Sequence, residues 1–579
     1  MFLHHVKVIL RLLLTTAAVS PVVNSQTQSQ CCSHDGPKLG AVASENSICS
    51  RIGTRLLEDG GNAVDALVGT VFCVGVTSVY HSGIGGGGFL LLRLPNRTYE
   101  FVDFRETAPA AASENMFKGN VNASIFGGLA RRGCSSDLVL SGVPGELRGT
   151  EYIHKRYGAL KWVDVLAPSI KLARFGFPVS QDLVRYMDST SPNAFLTEDP
   201  SWAMDFAPRG CRVRLGETMT RKRYADTLET IANEGADAFY TGSIAKATIR
   251  ALRAANGTMT LEDLRNYTVA LREPVHLTYR GYRLTSTNAP SSGVVALSAL
   301  NILSGYNDFP DPSRSNLSTH LMDEATKFAY GQRTKLGDPS FVPGLEKYTE
   351  NMISSKTGDE VRSKIVDQKT FHVSYYDPEG LESLETPGTS HIVAADARGM
   401  SVSMTTTVNL LFGSNLMVPE TGVVMNNEMN DFSIPGESNA FGYVPSPANF
   451  VRPGKRPLSS ISPIICETAD GRLFFSIGAA GGSRIITANI QNAIHLMDGN
   501  MTISDALREP RLHDQLVPSR VSFEYTYNNG TVEHMKSLGY NVTWVAPGQS
   551  AAQGLRLLPN GTFEACGEPR QKNSGGFAV

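Results

Sequence analysis

Residues 390–397 and 401–408 flank the quartet Asp396-Ala397-Arg398-Gly399, and both alternate apolar side chains with small or hydroxyl ones. A period of two broken by a turn predicts two antiparallel strands closed by a tight hairpin. The hairpin divides the chain by character. Ahead of it, 145–335 reads as mainly helical, with segments around 146–157, 161–175, 221–234, 242–255 and 320–334, and 355–388 turns polar and loop-like. Behind it come a strand at 422–425 and a loop carrying Pro435, Pro445, Pro447, Pro453 and Pro457. A strand at 473–477 then runs into Gly478-Ala479-Ala480-Gly481-Gly482, followed by a helix over 485–497. This segregation agrees with an α+β chain.

The first hundred residues add smaller pieces. Residues 42–57 hold Ile48, Ile52 and Leu56 at helical spacing and stop at Gly60-Gly61, and Asn62 is suited to cap a second helix from Ala63 to about Val79. Cys49 and Cys73 fall one on each helix, so a bridge between them would staple a helical hairpin. The glycine loop 83–88 precedes strand-like runs at 89–94 and 99–105. It lacks the Lys-Ser/Thr of a P-loop and leads into a strand, so it reads as close backbone packing beside a pocket, not as a phosphate cradle.

Charge narrows the function classes. With 53 Lys+Arg against 55 Asp+Glu the formal charge is −2, and no basic run offers a nucleic-acid footprint. A hydrophobic content of 41% suits a globular enzyme. Lys7 and Arg11, a mostly apolar stretch over 12–23 and Val23-Asn24-Ser25 predict a signal peptide over 1–25 and a secreted protein. The alternative is an uncleaved N-terminal anchor at the cell surface, but the stretch is shorter than the ~20 residues of a span. Sequons at Asn96, Asn122, Asn256, Asn266, Asn316, Asn500, Asn529, Asn541 and Asn560 are glycosylation candidates, and 8 cysteines without a CxxC pair favour disulfides.

The segment from Thr389 to Gly413 is rich in hydroxyls for a strand pair. It allows an exposed Ser/Thr-rich β face, or a Ser/His hydrolase using His391, which no Gly-x-Ser-x-Gly elbow supports. It also allows a threonine nucleophile exposed by cleavage after Gly388, which would supply a hydroxyl and a free α-amine as its base. Other motifs accompany the segment: Asp103-Phe104-Arg105-Glu106-Thr107-Ala108-Pro109, Asn426-Asn427-Glu428-Met429-Asn430-Asp431, Ser446-Pro447-Ala448-Asn449-Phe450, Pro457-Leu458-Ser459-Ser460 and the 478–482 glycine turn. In this order, over nearly the whole mature chain, they resemble the γ-glutamyltransferase (glutathione hydrolase) family of N-terminal-nucleophile hydrolases.

The resemblance implies a four-layer αββα sandwich formed jointly by two chains cut from one precursor. The large subunit would be 26–388 and the small one 389–579, with autocleavage between Gly388 and Thr389. Thr389 would be the nucleophile, Thr407 its supporting hydroxyl, and the N–H groups of Gly481 and Gly482 the oxyanion hole. Arg105, Ser459 and Ser460 would hold the glutamyl α-carboxylate, and Asn409, Glu428 and Asp431 its α-ammonium. The implied substrates are glutathione and other γ-glutamyl compounds, with water, an amino acid or a dipeptide as acceptor and no cofactor or metal. Alternatives are a paralogue for leukotriene-type conjugates and an exported inactive homologue acting as a binding protein or effector. Leu411 stands where a tyrosine is common, which predicts a more open substrate wall, and 433–450 would form the flanking lid. Val393 and Met400 also depart from the usual motif, at positions without assigned chemistry. Cys49–Cys73 matches a disulfide of animal members. Cys211 with Cys134 and Cys466 with Cys566 are the further pairings considered, and the polar tail 567–579 is expected to be loosely held.

Overall fold

The computed structural model describes residues 38–118, 141–190, 193–381, 388–436 and 444–579, together with the backbone of 30–33. Strands Ser390–Asp396 and Ser401–Thr407 pair antiparallel, Ser390 opposite Thr406 and Ala395 opposite Ser401. The hairpin lies inside a sheet: one strand also pairs with Gly40–Ser44, the other with Gly87–Arg93. Tyr99–Asp103 and Ala270–Arg272 extend that sheet on one side and Gly575–Ala578 on the other. A second sheet runs in the order Phe563–Cys566, Ala551–Leu557, Leu473–Ala480, Ile464–Glu467, Tyr282–Ser286, Val275–Tyr279. Strand Gln30–Ser33 joins the two by pairing with Gly575–Ala578 and Phe563–Cys566.

The sheets pack face to face. A Cβ on Gly478 of the second would lie 2.2 Å from the His391 ring of the first, so only glycine fits there. Alternation sorts side chains between two cores. Phe89, Leu91, Val393 and Ala395 join Phe475, Ile477 and Ala479 in the core that continues under helices Gly293–Leu303, Ser315–Arg333 and Arg484–Met497. Leu90, Leu92, Ile392 and Ala394 face the other way, toward helices Ser47–Glu58, Ala63–Thr77, Trp162–Phe175 and Lys222–Glu234. The expected αββα layering results. The first two helices are joined by the Cys49–Cys73 disulfide, and the second starts with a capping box in which Asn62 accepts from Val64 and Asp65 N–H groups.

Several local expectations are corrected. The first helix begins at Ser47, capped by Asn46, because Val42 and Ala43 belong to a strand whose residues alternate between the two cores. Residues 422–425 form no strand beyond the isolated Met417–Val424 bridge, since Gly422 turns the chain with φ 67°. The supposed loop at 355–388 contains helix Ser355–Arg362, started by the Ser354 side chain accepting from Thr357 N–H. The tail is not loose: Gly575–Ala578 is a buried strand between Gly40–Ser44 and Gln30–Ser33. Cys466 is a free buried thiol and Cys566 is disulfide-bonded, so they are not partners. Cys211 is free and exposed, and Cys134 lies outside the described residues. Among the described residues no helix is long and apolar enough to cross a membrane.

Candidate active site

The two threonines meet where the hairpin strands end. Ser390 faces Thr406, so the next step outward along the ladder brings Thr389 beside Thr407, and both line one narrow cleft. The backbone here is constrained. Gly388 has φ 121° and Thr389 φ 127°, a region that a β-branched residue disfavours. A Cβ at Gly388 would lie 1.8 Å from the Asn409 carbonyl oxygen, so glycine is required by close approach as well as by φ. Thr407 Oγ1 accepts from Asn409 N–H at 2.7 Å, and Asn409 Nδ2 donates to the Asn427 carbonyl at 3.1 Å. The glycine loop supports this floor: Cβ atoms on Gly86 and Gly88 would lie 2.0 and 2.1 Å from the carbonyl oxygens of Thr407 and Thr405.

Charged residues enter the cleft from distant segments. Arg105 follows strand Tyr99–Asp103, while Glu428 and Asp431 sit three residues apart on the single turn Glu428–Asp431 and so face one way. Ser459 and Ser460 lie on an extended stretch whose Ser459 N–H donates to the Pro290 carbonyl at 2.8 Å. Arg105, Gly388, Thr389, Thr407, Asn409, Glu428, Asp431, Ser459, Ser460 and Gly482 all line the cleft, which leaves about 20 Å³ free. That is room for about one water molecule.

Arg105 is 1% exposed and stands 2.5 Å from both Asp431 Oδ2 and Glu428 Oε1, with Glu106 at 4.0 Å. The Asp431 contact is a hydrogen bond, whereas Glu428 makes a close charge contact without hydrogen-bond alignment. Burial opposes the guanidinium charge, but Glu428, Asp431 and Glu106 outweigh it and raise the Arg105 pKa. Three carboxyls cannot all ionise beside one cation. Burial first, then Glu106 and Asp431, push the Glu428 carboxyl well above its usual range against the pull of Arg105. Burial raises Glu106 to about 8. Both Glu428 oxygens, Asp431 Oδ1, both Glu106 oxygens and Arg105 Nε are buried without hydrogen-bond partners. Such groups cost free energy unless a ligand satisfies them.

At the far wall, Gly481 and Gly482 (φ 125° and 60°) link strand Leu473–Ala480 to helix Arg484–Met497. Gly482 lines the cleft; Gly481 sits one residue behind it, its α-carbon packed toward Ser550. Exposed amides at a helix start are suited to an oxyanion. His391 is no catalytic base. It is fully buried between the sheets, bonded to Thr405 Oγ1 at 2.7 Å, and burial lowers it to about 3. The exposed-β-face reading fails too, because all 7 residues of each hairpin strand are buried. Leu411 does not line the cleft and packs half-buried against the first helical layer. Ser433 and Phe450 bridge the base of the expected lid, of which 437–443 lie outside the described residues. The sequon asparagines are exposed except Asn122, which also lies outside the described residues.

Sequence reasoning missed Asn427, Ser292 and Arg333. Asn427 braces the cleft floor through its carbonyl and through Oδ1, which accepts from Leu410 N–H at 3.0 Å. Arg333 donates to Ser460 Oγ at 3.1 Å. At a helix C-terminus an arginine ordinarily reads as a solvated charge complementing the dipole, so nothing local marked it. Asn427 did stand inside a quoted motif.

The chain is similar to known proteins over most of its length. A family model described as Gamma-glutamyltranspeptidase matches residues 49–578. The chain is 55% identical over 560 residues to the glutathione hydrolase proenzyme of Arthroderma benhamiae, covering 94% of each. It is 50% identical over 551 residues to the glutathione hydrolase of Aspergillus flavus, covering 94% of this chain and 90% of that one. The crystal structure of cephalosporin acylase from Bacillus halodurans superposes with a TM-score of 0.80 at 26% identity, over 95% of this chain and 96% of that one.

Proposed function

The chain belongs to the γ-glutamyltranspeptidase family, and from that premise we propose that Thr389 is the nucleophile of a self-processing enzyme whose glutamyl pocket is the Arg105–Glu428–Asp431 cleft. The chain carries out γ-glutamyl transfer and hydrolysis. The observation that carries the residue assignment is convergence. One narrow cleft gathers the hydroxyls of Thr389 and Thr407, a glycine helix start, a buried guanidinium and two carboxyls from segments hundreds of residues apart.

In maturation the Thr389 hydroxyl attacks the Gly388 carbonyl carbon. The Gly388–Thr389 C–N bond breaks as the ester forms, and water then hydrolyses the ester. The products are a Gly388 carboxylate, ending the large subunit 26–388, and a free Thr389 amine, beginning the small subunit 389–579. That amine, with an ordinary pKa of about 7.7–8.0, suits a general base at neutral pH.

In turnover Thr389 attacks the γ-amide carbon of glutathione. The α-amine takes the hydroxyl proton and returns it to the leaving amine. The oxyanion lies against the Gly482 and Gly481 N–H groups, and Thr407 supports the nucleophile. The resulting γ-glutamyl ester passes to water or to the amine of an amino acid or dipeptide. A glutamyl end carries both charges: its carboxylate pairs with Arg105 and the serine hydroxyls, and its ammonium with Glu428, Asp431 and Asn409. Binding therefore exchanges the internal Arg105 ion pairs for substrate ones. Secretion is part of the proposal, supported by the exposed sequons and the Cys49–Cys73 disulfide.

The test compares wild type with Thr389→Ala on a denaturing gel and in a γ-glutamyl-anilide release assay. Wild type runs as two chains and releases product; Thr389→Ala stays one chain and is inactive. An unprocessed, active wild type would remove Thr389 from the mechanism.

A further inference from the structure

A second buried guanidinium lies behind the serine pair. Arg333 ends helix Ser315–Arg333 and makes no ion pair with any described carboxylate. Its Nη2 donates to Ser460 Oγ at 3.1 Å and its Nε to Ser292 Oγ at 3.1 Å. Ser292 Oγ in turn donates to the Ser459 carbonyl at 2.5 Å. One side chain thus holds the Ser459–Ser460 stretch at two points.

The chemistry of the donors gives this chain a direction. A guanidinium only donates, so every hydroxyl it touches must accept there and keeps its own proton for another partner. Ser292 gives that proton to Ser459. Ser460 has no second partner among the described residues, so its proton remains available to the cleft it lines. Ser459 Oγ also acts as an acceptor, from Ile461 N–H at 3.2 Å, and is left in the same state. Two hydroxyls with protons to give beside Arg105 suit an anionic group. Burial disfavours the Arg333 charge, with Tyr330 and Asp431 opposing that loss and Arg105 adding to it.

Building on the proposed glutamyl pocket, we infer that Arg333 is a positioning residue for substrate binding: it commits the Ser460 hydroxyl to donate to the α-carboxylate and thereby helps select substrates that carry one. Arg333 does not touch the reacting atoms. Its effect falls on binding, runs through Ser460, and leaves the acyl-transfer step alone.

The experiment is a double-mutant cycle on the full chain. Wild type, Arg333→Met, Arg333→Lys, Ser460→Ala and the Arg333→Met/Ser460→Ala double variant are assayed with L-γ-glutamyl anilide, with the two-band gel as a check on folding. Arg333→Met is expected to raise KM roughly ten-fold, as for a lost hydrogen bond to a charged group, with kcat changed less than about three-fold. Arg333→Lys, which retains charge and a donor, recovers part of the loss. In the Ser460→Ala background Arg333→Met adds less than about two-fold. An unchanged KM, a loss confined to kcat, or full additivity overturns the inference. Where Arg333→Met fails to fold, Arg333→Lys serves instead: a KM rise of about three-fold that vanishes in the Ser460→Ala background supports the role, and an unchanged KM overturns it. If Ser460→Ala alone leaves KM at the wild-type value, the glutamyl-pocket assignment itself fails, an outcome distinct from additivity.

Discussion

Asp103 and Arg105 stand two positions apart and belong to opposite kinds of charge cluster. Asp103 pairs with Arg272 at 2.5 Å and Arg456 at 3.3 Å, and Arg272 also reaches Asp338 at 3.0 Å. Two cations there face two anions, and backbone groups add to the set: Arg105 N–H donates to Asp103 and Arg456 N–H to Asp338, each at 3.0 Å, although Arg456 Nε has no hydrogen-bond partner. Arg105 itself faces Glu428, Asp431 and Glu106, with buried oxygens unpartnered. The first cluster is balanced and fastens the sheet edge to the loop after Pro453. The second is unbalanced, and its unpartnered polar groups match both charges of the proposed glutamyl end. Burial alone does not separate structural from functional charge; local balance does.

Breaking each cluster tests the distinction. Asp103→Ala leaves Arg456 without its paired carboxylate and Arg272 with Asp338 alone, and it should cost about 3–5 kcal/mol of stability. Denaturant unfolding should register that loss, while the KM of the remaining folded enzyme stays near wild type. A stable variant with raised KM would show that Asp103 belongs to the pocket.

Arg105→Ala should act the other way. It is expected to reduce kcat/KM for γ-glutamyl anilide by roughly a hundred-fold through KM, as for a lost buried carboxylate partner, with self-cleavage intact. Failure of self-cleavage to the same extent would make Arg105 a folding residue instead.

A pH-dependent stability effect sharpens the electrostatics. Glu106 has a folded pKa of about 8, raised by burial, against about 4.3 unfolded. Between those values the folded state holds a proton that the unfolded state has released, so ionisation favours unfolding and stability falls as pH rises. The slope is at most about 1.4 kcal/mol per pH unit. Glu106→Gln removes that dependence, so its Tm relative to wild type should climb from pH 5 to pH 8. A constant difference across that window would place the Glu106 proton elsewhere.

Much of the site was legible because its chemistry sits in short motifs. The hairpin, the glycine turn before helix Arg484–Met497 and the Glu428–Asp431 pair are local patterns, and their order, resembling one family, is what implied their use. The illegible parts depend on distant partners. Gly575–Ala578 looks like the end of a polar tail until its backbone pairs with Gly40–Ser44, and a four-residue strand that is half glycine has little hydrophobic pattern to announce itself. Arg333 looks like a helix-end charge until Ser460 and Ser292 close over it. The Cys466–Cys566 pairing failed for the same reason, since sequence carries no distance between two buried strands.

By itself the sequence determined the periodicities that make strands and helices, the glycine between Asn409 and Thr389, and the residue types available for chemistry. Tertiary structure alone decided which charges lose their water and what they face instead. Arg105 and Asp431 are 326 residues apart, and their pairing exists only because two sheets and a single-turn loop converge at one cleft. Electrostatic strength depends on that desolvation, and desolvation belongs to the packed chain, not to any segment of it.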